Sequence, residues 1–593
     1  MEENRKQKLQ KILQRPLPDG FKRTGVTKEY YLDVIEQCVR AYPKEEMARM
    51  EAADDIQSYS RLLSSLSLLL SAGRMPGYSA LWEEMMTRAC VALPQVKKQQ
   101  QLDFSVKELI IAYRLMKNRV SSETLGKWRE ALSRVTPEEY FKYTTGENNN
   151  INIYNMAGEA LREAEGMTDT TAYFQKCWPA QLQKFDENGM YLDEGWGKKN
   201  PILYDLTTRV QMQLILGSSY QGAFAKDLDC VMADGGLMTL FTQSAAFQLP
   251  YGGRSNQYLF NEALIASNCE YEAVRWKQRG DLVLAGAYKR AAHLAIQTIG
   301  RWLCAKKHIK NFYPQPEVGC EGYGYYTKYM ITLGSFLAIG CLFADDSIEE
   351  SPAPAELGGY VLTTTSEFNK VFANCAGYSV ELDTAADFHY DSTGLGRIHK
   401  AGAPTELGLS LPLTATPNYT VAQGAQTTNL AIGPGWTNGE NVTYLSELSG
   451  AAHTLEILDE SPEQVSFRIT YQAEGASMMK AASSTEEASI NKEKVSVEET
   501  YTIDHSGVAI DTVLSGADGL CYRVPLLVTN GRDTTQIEVG EHTARVTLGG
   551  YCYTVSTNGC LTVPPERYAN RSGEYRAAHI AAPGNTLHTT LSF

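Results

Sequence analysis

The sequence predicts an α+β multidomain protein in which an N-terminal (α/α) toroid is followed by a C-terminal antiparallel β-sandwich. Two observations predict it. Apolar residues recur at three and four spacings from residue 28 to about 344, and beyond residue 360 the pattern changes to two-residue alternation rich in Thr, Val, Tyr and Gly. Between them lies DDSIEESPAPAELGG, residues 345–359, an acidic stretch with proline and glycine that reads as an exposed connection. The expected domains are an extension over 1–27, a toroid over 28–344, a linker over 345–359 and a sandwich over 360–593. A chain of 593 residues has room for more than one core.

The helical half opens with DVIEQCVRAY, SRLLSSLSLLLSA, ALWEEMMTRACVAL, FSVKELIIAYRLM and LGKWREALSRV. It continues with NIYNMAGEALREAEG, TTAYFQKCWPAQLQKF, LYDLTTRVQMQLIL, YLFNEALIASNCEYEAVRWK, LVLAGAYKRAAHLAIQTIGRWLC and YYTKYMITLGSFLAIGCLFA. Breakers punctuate the linkers at Gly73 to Gly77, Gly146 and Gly195 to Pro201, so the helices come as hairpins. Successive hairpins build a solenoid or a closed toroid, and the lack of a fixed-period consensus favours the toroid. In the second half, KVSVEETYTIDHSGVAIDTVL alternates on both sides of a turn at His505, Ser506 and Gly507. QIEVGEHTARVTLGGYCYTVST repeats the arrangement, and short alternating strands without intervening helices indicate two sheets packed face to face.

The formal charge of −14 and pI near 5.3 argue against a nucleic-acid or anionic-membrane partner, which needs a basic face. A polyanionic substrate stays open, because a few arginines in a cleft set the local potential. The opening MEENRKQKLQKILQRP is charged and lacks the apolar core of a secretory signal, so a cytoplasmic location is expected. Apolar runs such as that around Leu66 to Leu70 are far below the ~20 residues of a membrane span. Twelve cysteines without a CxxC pair read as reduced structural thiols. No Walker loop, Rossmann fingerprint, HExxH or nucleophile elbow is present, so neither a cofactor nor a metal is expected.

Four polar, aromatic-bearing linkers are candidates for chemistry, because loops held by a rigid scaffold carry function. TTGENNNINIYN offers Asn148, Asn150 and Asn152, amides that suit a sugar hydroxyl or a carboxylate and equally suit helix capping. FDENGMYLDEGWGKKNPILYDLTTR brings Trp196, Tyr204, Asp205 and Arg209, aromatic platforms beside acids that fit a sugar's apolar faces and hydroxyl edges, or an ordinary long turn. FQLPYGGRSNQYLFNEA sets Arg254 and Asn256 on a double-glycine loop, with Tyr258 and Glu262 one turn apart; Arg254 suits a carboxylate clamp or a surface ion pair. NFYPQPEVGCEGYGYYTKYM offers Glu317, Glu321, Tyr323, Tyr325 and Tyr326, where the tyrosines also suit a core with one wet edge. No histidine precedes His293, so an imidazole acid or base has to come from the last helices or the sandwich. The best placed is His389, in DFHYDSTGLGRIHKAGAPTELGLS, ahead of His399.

The order of toroid and sandwich, with these loops, resembles the polysaccharide lyases of the heparinase II/III, chondroitinase and oligoalginate lyase type. The resemblance implies that asparagine and arginine neutralise a uronate carboxylate, that tyrosine or histidine removes the C5 proton, and that tyrosine protonates the leaving oxygen. Carried onto this chain, the neutraliser is the cluster from Asn148 to Asn152, the toroid tyrosine is Tyr204 and the sandwich histidine is His389. Many of these lyases place a histidine directly after the asparagine; here Ile151 or Ile153 stands nearby instead. LPYGGRSNQYLFNEA is also similar to an arginine-bearing loop in an uncharacterised family of bacterial toroid proteins suspected of glycan cleavage.

The expectation is β-elimination on a uronic-acid-containing oligosaccharide, with Tyr204, His389, Asn150 and Arg254 catalytic. Asn148, Asn152, Asp205, Arg209, Asn256, Tyr258, Glu262, Glu321, Tyr325 and Trp196 would bind substrate. One alternative is a glycoside hydrolase, for example a glucuronidase, using paired carboxylates drawn from Asp205, Glu262, Glu317 and Glu321. The other is a non-catalytic glycan-binding protein using the same loops.

Overall fold

A computed structural model describes residues 2–145, 149–193, 200–304, 307–323, 326–478 and 489–593. After the N-terminal helix α1 (Glu2–Leu13), twelve main helices alternate between two concentric layers among the described residues. The outer ones are α2 (Lys28–Arg40), α4 (Ser79–Ala92), α6 (Ser122–Ser133), α8 (Thr171–Leu182), α10 (Ala225–Thr242) and α12 (Leu282–Trp302). The inner ones are α3 (Ile56–Ser71), α5 (Val106–Met116), α7 (Asn149–Ala164), α9 (Ile202–Gly217), α11 (Phe260–Gln278) and α13 (Tyr326–Phe343). Each inner helix packs on the next, and α13 packs back on α3, so the ring closes. Closure distinguishes the toroid from an open solenoid.

The inner helices are apolar around most of their circumference because they have neighbours on every side. In α3 every residue from Ile56 to Leu70 is buried, and Asp55 caps the helix by accepting from the Ser58 amide at 3.1 Å. The helix absent from the sequence reading is α10, AKDLDCVMADGGLMTLFT, whose paired glycines look like a breaker. The pair serves packing instead. A β-carbon on Gly235 would overlap the Arg209 guanidinium and the Gly189 carbonyl.

The first sheet is a four-stranded antiparallel meander of β1 (Tyr360–Thr363), β2 (Lys370–Cys375), β3 (Tyr378–Asp383) and β4 (Gly394–Lys400). Strand residues alternate faces. Tyr360, Leu362 and Phe372 therefore join the toroid core, while Val361, Val371 and Ala373 join the sandwich core. Behind it stands an eight-stranded antiparallel sheet, in which Ser496–Asp504 and Gly507–Ser515 form the hairpin read from the sequence, closed where Asp504 faces Gly507. A six-stranded antiparallel sheet, centred on Cys521–Thr529 and Glu574–Ala581, completes the β half. In α1, Leu9 and Ile12 are buried, and the Lys8 ammonium donates to the Val361 carbonyl at 2.9 Å, so the N-terminal segment straps toroid to sheet.

Candidate active site

Because outer and inner helices alternate, the inner helices run in one direction and their N-terminal ends share a rim. The four linkers singled out above lead into α7, α9, α11 and α13, so they meet there. Helix N-termini carry partial positive charge, which favours an anion.

Asp193 is fully buried and accepts from the Asn150 backbone amide at 3.1 Å and from its Nδ2 at 2.9 Å. The same carboxylate pairs with Arg254, whose guanidinium lies 4.0 Å from the ring centroid of Tyr204. The Tyr204 hydroxyl, in the first turn of α9, lies 3.2 Å from Ser255 Oγ, and the Tyr323 hydroxyl lies 3.0 Å from that same oxygen. The Ser255 amide donates to Glu321 at 2.6 Å. Glu321 also accepts from the Tyr258 hydroxyl at 2.6 Å and from Arg571 at 2.7 and 3.1 Å. Residues from all four linkers and from the β half thus form one connected chain.

The loop before α11 is strained. Ser255 and Gln257 have φ of 58° and 66°, in the left-handed region that side chains avoid, and both are buried. Such strain persists only where surroundings over-determine it, and it gathers at functional sites. Gly253 precedes them at φ 75°, where a β-carbon would sit 2.7 Å from Pro201 at the start of α9. The close approach of these two linkers places Arg254 over Tyr204.

Burial raises the Tyr204 hydroxyl above its ordinary value, and the nearby Arg254 charge only partly opposes this. Tyr204 therefore rests protonated. For Glu321, burial pushes upward but the charge and hydrogen bonds of Arg571 outweigh it, so the carboxyl is held below its usual range. Glu321 is an anionic anchor.

Three of the residues expected to bind, Asn148, Trp196 and Tyr325, lie outside the described residues. Asn150, Tyr204, Arg254, Tyr258 and Glu321 are brought together, and Asn256 shapes the loop by donating to the Pro250 carbonyl at 2.9 Å while its own carbonyl accepts from Arg571 at 2.8 Å. Asn152, Asp205, Arg209 and Glu262 are not brought to the chain of contacts, and the reason is geometric. Asn152 projects the other way and donates to the Tyr173 hydroxyl at 3.1 Å. Asp205 and Arg209 pair with each other inside the wall, where Arg209 also donates to the carbonyls of Gly189 and Val231. Glu262 accepts from Lys310 at 2.6 Å, both groups fully buried.

His389 sits on an exposed loop from the β half. Its neighbour Tyr390 has its ring 5.7 Å from the Arg571 guanidinium, and the next residue, Asp391, packs on Gly252, so the loop borders the rim. Its Nδ1 lies 3.0 Å from the Thr416 carbonyl, which can only accept, so in the neutral imidazole the proton sits on Nδ1 and the lone pair on Nε2. His399 is instead buried between Ser244 and Ser410, and burial lowers its pKa well below the ordinary value.

Sequence reasoning missed Asp193, Ser255 and Arg571. Arg571 stands in the loop before Glu574–Ala581, some 250 residues from its partner Glu321, and no spacing links the two. Among the described residues no group of three or more His, Cys, Asp or Glu side chains is placed to hold a metal ion, and no helix is long and apolar enough to cross a membrane.

No protein-family model and no curated protein matches the sequence. Solved structures do. Chondroitin AC lyase from Streptomyces coelicolor A3, solved with chondroitin sulphate, aligns over 99% of this chain and 83% of its own at TM-score 0.50 and 11% identity. Heparinase III aligns over 98% of this chain and 88% of its own at TM-score 0.52 and 9% identity. At such identities the likeness is one of fold, and the chain has the helical toroid followed by an antiparallel β-sandwich seen in these polysaccharide lyases.

Proposed function

We propose that this chain is a glycan-cleaving enzyme that breaks uronic-acid-containing oligosaccharides by β-elimination at the toroid rim. The observation that carries the reading is the linked set Asn150, Asp193, Arg254, Tyr204 and Ser255, gathered where helix N-termini converge. The likeness in fold to two polysaccharide lyases supports it.

β-Elimination starts with loss of the proton at C5, next to the uronate carboxylate, and that proton becomes acidic only if charge building on the carboxylate is stabilised. Arg254 and the Asn150 amide, with the positive ends of α7 and α9, supply that stabilisation. Asp193 orients both donors. His389 Nε2 takes the C5 proton, the C4–C5 double bond forms, the C4–O bond breaks, and Tyr204 gives its proton to the departing oxygen. Tyr204 fits the donor role because burial keeps it protonated. This differs from a tyrosine lowered by a cation toward neutral pH: Arg254 shares its charge with Asp193, and desolvation wins.

Hydrolysis by two carboxylates is less well served. Asp205, Glu262 and Glu321 are each held by a buried cation, and Glu317 is exposed. The test is incubation with uronate oligosaccharides, following ultraviolet absorbance of the unsaturated product alongside reducing ends. Absorbance should rise, and Tyr204→Phe and His389→Ala should each lower kcat by about 10²- to 10⁴-fold, the usual share of a general acid or base. Reducing ends without absorbance, or full activity in both variants, would overturn the proposal.

A further inference from the structure

A pocket lies at the end of the toroid away from the rim. Helices α7 and α9 are 16 residues each, so their C-terminal ends stand about 24 Å from the rim, at 1.5 Å per residue. There the last turn of α7, the start of α8 and the loop 218–224 border an open pocket of about 330 Å³. That volume falls within the roughly 300–1,000 Å³ range of small-molecule sites.

Its lining has two parts. Phe174 and Tyr220 meet edge to face with centroids 5.1 Å apart and form an apolar corner. Tyr220 is fixed there: it folds back over Gly222, where any β-carbon would overlap its ring and hydroxyl. Around the corner stand Gln175, Gln221 and Ser218, whose hydroxyl donates to the Ile215 carbonyl at 2.7 Å and keeps its lone pairs to accept. The partly exposed Tyr220 ring, backed by the buried Phe174 and flanked by polar side chains, matches a pyranose, whose faces are partly apolar and whose edges donate and accept hydrogen bonds.

Charge selects among pyranoses. Helices α7 and α9 end at this cavity while α8 and α10 begin there, so the helix dipoles offset one another and the side chains set the charge. Glu163 adds a carboxylate to the wall, held by the Thr170 amide at 2.9 Å and its hydroxyl at 3.0 Å. The wall thus carries an anion where the rim carries the Arg254 cation.

We infer that this cavity is a second carbohydrate site, for an uncharged, hydroxyl-rich pyranose, and that it rejects uronates. It shares no residue with the rim and stands whether or not the rim carries out elimination. The test is saturation-transfer NMR on the full chain with methyl β-D-glucopyranoside and, separately, its uronate counterpart. The glucoside should show transfer that falls at least about ten-fold in affinity, or ~1.4 kcal/mol, in Tyr220→Ala. Ala164→Trp, which fills the cavity from an exposed helix end without removing a contact, should do the same. No transfer to the glucoside, or equal transfer in both cavity variants, would overturn the inference. So would a signal lost only in Tyr204→Phe, or uronate transfer as sensitive to Tyr220→Ala as that of the glucoside.

Discussion

The pair Arg571–Glu321 illustrates how a single contact between domains sets a site. Both side chains are almost wholly excluded from water, with 1% and 2% of their surface exposed, so the charges depend on each other. Removing one partner strands the other, which typically costs about 3–5 kcal/mol, whereas replacing both with apolar residues of similar volume is often close to neutral. Arg571→Met and Glu321→Gln should therefore each lower the urea midpoint strongly, and Arg571→Met with Glu321→Met should recover much of the loss. Activity should not recover in the double variant. Glu321 is the acceptor for the Ser255 amide, and without it the strained backbone that carries the partner of Tyr204 is free to relax. A double variant that regained both stability and activity would remove Glu321 from any role in shaping the rim.

At the scale of elements, α10 shows a local rule giving way to packing. Gly to Ala inside a helix ordinarily stabilises by about 1 kcal/mol. At Gly235 the added methyl would meet Arg209, which is locked by Asp205 and two carbonyls and has nowhere to go. Displacing Arg209 leaves Asp205 buried and unpaired, at a cost of about 3–5 kcal/mol, which exceeds the gain in propensity. Gly235→Ala should consequently be destabilising by denaturant unfolding. The control, Gly126→Ala in α6, has open space around its position and should stabilise slightly. The same element explains why Asp205 and Arg209 read as site residues: their charges serve the joint between α9, α10 and the turn at Gly189.

Over the whole molecule, a polar staple binds the N-terminal segment, α12 and the interdomain stretch. The Thr24 amide donates to Glu350 at 2.9 Å, Arg290 donates to Glu350 and Glu356 at 2.7 Å each, and His293 Nδ1 bonds Glu350 while its Nε2 lies 3.5 Å from Glu270. Burial opposes the charge on His293, but Glu270 and Glu350 outweigh it and raise its pKa above 6.5. Burial likewise pushes Glu350 upward, yet His293, Thr24 and Arg290 hold it down at about 2. His293 binds its proton more tightly folded than unfolded, so its contribution is complete below pH 6.5 and is lost as pH rises through the raised folded value. Glu350 contributes above 4.5 and loses that contribution as pH falls toward 2. Thermal melts should show His293→Gln costing more below pH 6.5 than at alkaline pH, once the raised folded pKa has been passed. A penalty that stayed constant with pH would mean that His293 is held by packing alone.

The two architectures and their order are legible in the residue pattern, because the hydrophobic period of each half reports the faces its elements bury. Periods of three and four marked nearly every toroid helix, and alternation located hairpins such as that closed by Asp504 and Gly507. The residue pattern also singled out four polar, aromatic-bearing linkers, although the same residues suit capping, turns and surface ion pairs. What the tertiary structure alone decided was which side chains in those linkers face one another. Tyr204 and Asp205 are adjacent in sequence, yet successive helix positions point about 100° apart, so one meets Arg254 at the rim and the other Arg209 in the wall. Arg571 lay beyond any local pattern, because its partner is 250 positions away and only the docking of the β half on the closed ring brings the two charges into contact.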